Sequence, residues 1–155
     1  MSYRIVGLEP DQFQPLFEMS DAQLAERHIV RTIVDAKPGF PCRITLEDAE
    51  PGESVLLLNY EHQSTATPYR SSHAIFVREN VRQRYDEIDR VPPALRPRVL
   101  SVRAFDAIGM MIDADVVEGS ELEALIGRLF AEKNAAYLHV HNAKRGCFAA
   151  CVERA

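Results

Sequence analysis

The chain has 155 residues, 46% of them hydrophobic and 26% charged, with a formal net charge of −5. That balance describes one ordinary globular domain, residues 1–155, able to bury roughly two-thirds of its unfolded surface. The acidic charge excludes a general nucleic-acid binder, which needs a basic face, and no run of about eighteen apolar residues offers a membrane-spanning helix.

Tyr3 to Gly7 predicts a first strand, leading into a short helix that Pro10 starts. Ser20 and Gln23 make a capping box for a helical turn over Asp21 to Arg27. His28 to Asp35 is rich in β-branched residues and reads as a strand. Pro38-Gly-Phe-Pro41 imposes a turn before a short strand over Cys42 to Leu46. Glu50-Pro-Gly52 then delivers the apolar run Ser54 to Tyr60, a buried strand.

His62 to Ser72 is a polar loop, long for a compact domain, and such loops are disproportionately functional. His73 to Arg78 is the next strand, and Glu79 to Pro97 predicts a short helical stretch and an irregular connection. Arg98 to Phe105 and Met110 to Val117 alternate around a hairpin turn at Asp106 to Gly109. The clearest helix follows, with Ser120 and Glu123 as capping box, Leu122, Leu125, Ile126, Leu129 and Phe130 as apolar stripe, and Asn134 as stop. Two strands finish the chain. The class is α+β: a mostly antiparallel sheet of about eight strands with two or three helices, the longest near the C-terminus.

Chemistry concentrates in Tyr137-Leu-His-Val-His-Asn-Ala-Lys-Arg-Gly-Cys147. On a strand His139 and His141 project from one face, about 7 Å apart at Cβ. Pairing His141 with Cys147, Val140 with Phe148 and Leu138 with Ala150 puts Leu138, Val140, Phe148, Ala150 and Val152 on a core face. The other face then carries Tyr137, His139, His141, Cys147, Ala149 and Cys151, unless a bulge near Gly146 shifts the parity. In that register His139, His141 and Cys147 are neighbours, and His139 and His141 are candidate zinc ligands that His62 or Glu61 could complete. The competing reading is a semi-polar face whose imidazoles are hydrogen-bonded under a loop.

Two better-known motifs do not fit. Histidine-triad hydrolases carry a third alternate histidine, where this chain has Ala143, and cupins follow their pair with a glutamate that is absent here. Cys147, beside Arg145, is a candidate nucleophile, or simply a small buried hydrophobe. Arg70 with Ser71 and Ser72 could hold an anion and Tyr69 could stack on a planar ligand, or Arg70 could sit in a surface ion pair. The arginines from Arg78 to Arg103, interleaved with acids, read as a solvated mixed-charge face. Fifteen arginines against three lysines fit either a composition bias or a guanidinium-lined anion site.

Pro38-Gly-Phe-Pro-Cys-Arg43, Leu56-Leu-Leu-Asn-Tyr-Glu-His-Gln63, Pro68-Tyr-Arg-Ser-Ser72, Gly109-Met-Met111, His139-Val-His-Asn-Ala143 and Arg145-Gly-Cys147, in that order, resemble a bacterial family catalogued as domain of unknown function 1203. The resemblance covers essentially the whole chain and implies a single-domain bacterial protein without assigned catalytic residues. Three free cysteines, Cys42, Cys147 and Cys151, together with a start lacking a signal-peptide core, predict a cytoplasmic location.

The expected function is a small enzyme or a ligand-binding domain for a small anionic molecule. Its catalytic candidates are His139, His141 and Cys147; its ligand-binding candidates are His62, Tyr69, Arg70, Asn142 and Arg145. The alternatives are a metal-binding or thiol-sensing protein without turnover, with zinc at His139 and His141, and a structural or partner-binding module. A homodimer is compatible with any of these.

Overall fold

In the computed structural model, which describes Met1 to Ala155, nine strands form two antiparallel sheets with three α-helices. The chain opens with β1 (Tyr3–Val6), α1 (Gln14–Phe17), α2 (Asp21–Glu26) and β2 (Val30–Ile33). The hairpin β3 (Ser54–Gln63) and β4 (Ser71–Arg78) follows, then β5 (Asp86–Ile88), β6 (Val99–Phe105) and β7 (Met111–Glu118). Helix α3 (Leu122–Ala131) leads to β8 (Tyr137–Asn142) and β9 (Phe148–Arg154). The expected α+β class with its longest helix in the C-terminal half is what the chain adopts. Its strands divide into a six-stranded sheet, β5-β1-β9-β8-β6-β7, and a three-stranded sheet, β2-β3-β4. No helix is long and apolar enough to cross a membrane.

Period-two alternation gives the six-stranded sheet two chemically distinct faces. Leu100, Val102 and Ala104 of β6, Leu138 and Val140 of β8, and Ala150 and Val152 of β9 join the Leu122, Leu125, Ile126, Leu129 and Phe130 stripe of α3 in the main core. Arg103 and Phe105 therefore share the opposite face with Tyr137, His139 and His141. The end of β3 lies over that face, since Gln63 and Tyr137 exchange side-chain hydrogen bonds of 2.9 and 3.3 Å. A second apolar cluster, including Leu24, Ile44, Leu56 and Ile75, underpins the smaller sheet.

Several local expectations change. Ser20 and Gln23 form the predicted capping box, but Ser120 and Glu123 do not: a 3-10 turn, Gly119–Glu121, leads into α3, and Arg96 captures the Glu123 carboxylate. Cys42 to Leu46 is a turn rather than a strand, because its groups bond to different neighbours: Arg43 N–H to Phe76 O at 3.0 Å, Leu8 N–H to Arg43 O at 2.8 Å. Glu79 to Pro97 contains β5 and no helix. The polar loop shortens to residues 64–70, since β3 runs through His62 and Gln63.

Candidate metal centre

The terminal hairpin has a different register from the one its apolar pattern suggests. Leu138 pairs with Val152, Val140 with Ala150 and His141 with Phe148, with an irregularity at Ala149. The extra residue sends Ala149 into the main core and turns Phe148 towards the imidazoles. The expected trio of His139, His141 and Cys147 is therefore corrected. His62 from the other sheet joins the two histidines, and candidate ligand atoms of the three residues all lie within 4.8 Å of one another.

Each ring is held by identifiable contacts. His62 stacks on Phe148, with centroids 5.3 Å apart and planes at 4°, and meets His141 edge-on at 4.8 Å. His139 sits among Phe105, Tyr137 and Phe148 at 5.0, 5.2 and 5.2 Å. His141 Nδ1 lies 3.0 Å from the Gly146 carbonyl, so Nδ1 carries the proton and Nε2 offers a lone pair. This is the backbone contact that orients a metal-ligating histidine. Ser71 Oγ lies 3.3 Å from His62 Nε2.

Two imidazole nitrogens in the cluster are buried without a partner, His62 Nδ1 and His139 Nδ1. His141 Nε2 has only a 3.4 Å contact with Arg103 Nη1. Buried polar atoms ordinarily find hydrogen bonds, so convergent orphans call for a ligand. Burial pushes the pKa of His62 down to about 4 and those of His139 and His141 to about 3, with Arg103 adding to each shift. At neutral pH all three rings are therefore unprotonated, the form that binds metals.

Arg103 is a residue that sequence reasoning missed. Other arginines of its stretch do sit in ion pairs, Arg78 with Glu53, Arg96 with Glu123 and Arg98 with Asp48. Arg103 is half-buried, and its hydrogen-bond contacts are Ser101 and His141, with no carboxylate. Its β-strand position opposite His139 explains why: every second residue of β6 faces the imidazoles.

The remaining candidates separate. Tyr69 touches the rim of the site, its ring edge-on to Phe105 at 6.4 Å. Arg70 is exposed and donates to Glu61 at 3.2 Å, with no hydrogen bond to the histidines. Asn142, Arg145 and Cys147 line a separate cavity with Arg43, whose guanidinium donates to Cys147 Sγ at 2.9 Å.

The loop at 64–70 closes over this face by docking on the β6–β7 turn. Thr67 Oγ1 donates to Gly109 O at 3.1 Å, and Gly109 has φ +90° with Thr65 packed where a Cβ would stand. Gly109→Ala combines backbone strain with overlap against Thr65 and is expected to lower stability by about 1–3 kcal/mol, read from the urea midpoint. An unchanged midpoint would show that the loop can dock elsewhere at no cost.

The family described as "Protein of unknown function (DUF1203)" matches the chain over residues 39–154. All the cluster's histidines, Arg103 and, apart from Pro38, the residues lining the cavity at Cys147 fall inside that span. No curated protein and no solved structure matches the chain.

Proposed function

From the premise that the chain belongs to the DUF1203 family, whose description assigns no activity, we propose that it binds a divalent transition-metal ion, zinc first, through His62, His139 and His141. The observation that carries this reading is the convergence of three neutral imidazoles with two buried, unpartnered nitrogens. Zinc–nitrogen bonds of about 2.0–2.1 Å in a tetrahedral site need nitrogens about 3.3 Å apart. The 4.8 Å limit leaves on the order of 1.5 Å to close, within the reach of small side-chain rotations. An all-imidazole donor set suits zinc, copper, nickel or iron rather than magnesium or calcium, which favour oxygen.

Three protein ligands leave one position open, and charge decides what fills it. The cluster supplies no carboxylate, while the dication and Arg103 bring three positive charges into a half-buried site. An anionic fourth ligand balances them: a hydroxide, or the carboxylate or phosphate of a small molecule with Arg103 as its second contact. When bound, zinc would polarise such a ligand or acidify a water. Whether turnover follows depends on that ligand, so the reading covers both an enzyme and a binding protein.

The test is metal analysis and zinc titration of protein stripped by chelator. One zinc per chain is expected, with affinity lowered by about 100-fold or more in His139→Ala. Substoichiometric zinc after loading, or equal affinity in the variant, would return the cluster to a structural role in which the rings only fill space.

A further inference from the structure

We propose that the cavity of about 580 Å³ beside the β8–β9 turn is a second site, which binds a small organic anion independently of the imidazole cluster. Its basic lining is Arg43, Arg98, Lys144 and Arg145, with no aspartate or glutamate, in a chain whose net charge is −5. Asp48 neutralises Arg98 through contacts of 2.7 and 2.9 Å. Lys144 and Arg145 form no ion pair, unlike most arginines of the surface.

Arg43 is the strongest pointer. It is 2% exposed, yet its acceptors are Phe148 O at 2.7 Å, Pro41 O and Cys147 Sγ at 2.9 Å, none of them a carboxylate. A guanidinium has five N–H groups, so each terminal nitrogen keeps one to offer. A buried cation without an anionic partner is costly, and an anion in the cavity would relieve that cost.

Asn142 adds an independent observation. It is 8% exposed; its Nδ2 donates to Cys147 Sγ at 3.4 Å, while its Oδ1 is buried without a partner. Turned so that Oδ1 accepts from the Cys147 thiol, the amide leaves Nδ2 to donate to an anionic ligand.

The rest of the wall sets the ligand class. Leu57 and Phe76 line the cavity from the outer face of β3–β4, and Pro38 and Pro41 line it from their loop. Apolar walls facing a cluster of cations, at a volume typical of small-molecule sites, select an apolar body carrying a carboxylate or phosphate over a bare oxyanion.

Calorimetric titration of the full chain with benzoate, benzamide and inorganic phosphate tests this. Benzoate should bind, phosphate at least tenfold more weakly, and benzamide not measurably. Lys144→Ala/Arg145→Ala, two exposed positions, should weaken benzoate at least tenfold, whereas Arg128→Ala on α3 should leave it unchanged. His139→Ala should also leave it unchanged, which separates this site from the metal reading. No benzoate binding, equal binding of benzamide or of phosphate, or insensitivity to the double variant would each overturn the proposal.

Discussion

At pH 5 the metal-free protein is expected to be on the order of 6 kcal/mol less stable than at pH 7.5, and to approach acid unfolding there. The sign follows from the three buried imidazoles. His62 is held at about 4 and His139 and His141 at about 3, below the value near 6.5 of an unfolded chain. Between those limits the unfolded state takes up protons that the folded state refuses. Stability is therefore complete above about pH 6.5 and falls with acidification, by up to about 1.4 kcal/mol per pH unit for each ring.

Carboxylates held down by arginine partners act in a lower window. Glu79 beside Arg31 and Glu53 beside Arg78 lose their contributions only as pH falls below the ordinary carboxylate range. Urea midpoints at pH 7.5, 6 and 5 separate the two windows. In His139→Ala/His141→Ala the slope between pH 6.5 and 5 should shrink to about a third. An unchanged slope would mean that the rings titrate as in water, and would remove the neutral-ligand support for the metal reading.

The sequence exposed the partners of this site unevenly, for physical reasons. His139 and His141 were legible because alternate strand positions share a face whatever the strand pairs with. His62 was legible only as one of two candidates at the end of an apolar run, since its approach depends on how the second sheet folds over the first. The pairing of Cys147 with the histidines failed at one residue. The irregularity at Ala149 reverses the side on which Phe148 projects, and two alanines in succession carry no polarity that could mark it. Arg103 looked like part of a charged surface because it closes a run of arginines interleaved with Glu79, Asp86, Glu87 and Asp89, whereas in space it faces β8. Arg43 was hidden for a similar reason: apart from the nearby Pro41 carbonyl, its acceptors lie 104 and 105 residues away, beyond any local pattern. The α+β class itself was readable because hairpin turns and the α3 stripe are local signals. The division into two sheets was not, since strand order is decided by contacts distant in sequence.

Arg43→Met is expected to cost about 3–5 kcal/mol, although methionine fits the volume and avoids burying a charge. Removing the guanidinium leaves Phe148 O and Pro41 O without its N–H groups and Cys147 Sγ with only the 3.4 Å donation from Asn142, and each unmet buried group costs about 1–3 kcal/mol. Burial pulls the Arg43 pKa below its ordinary value while the Cys147 and Cys42 sulfurs draw it back, so sulfur is the group facing the charge from the protein side. Lysine keeps the charge but cannot reach three acceptors from one nitrogen, and Arg43→Lys should recover less than half of the loss. Urea unfolding of Arg43→Met, Cys147→Ala and the pair measures the coupling directly. A coupling of about 1.5 kcal/mol or more is expected for a charged hydrogen bond in contact. Additive losses would make sulfur a packing neighbour only, and would leave the guanidinium's charge to be met wholly from the cavity. In that case benzoate should raise the urea midpoint of wild type far more than that of Arg43→Met, because only the wild type buries a cation for it to meet.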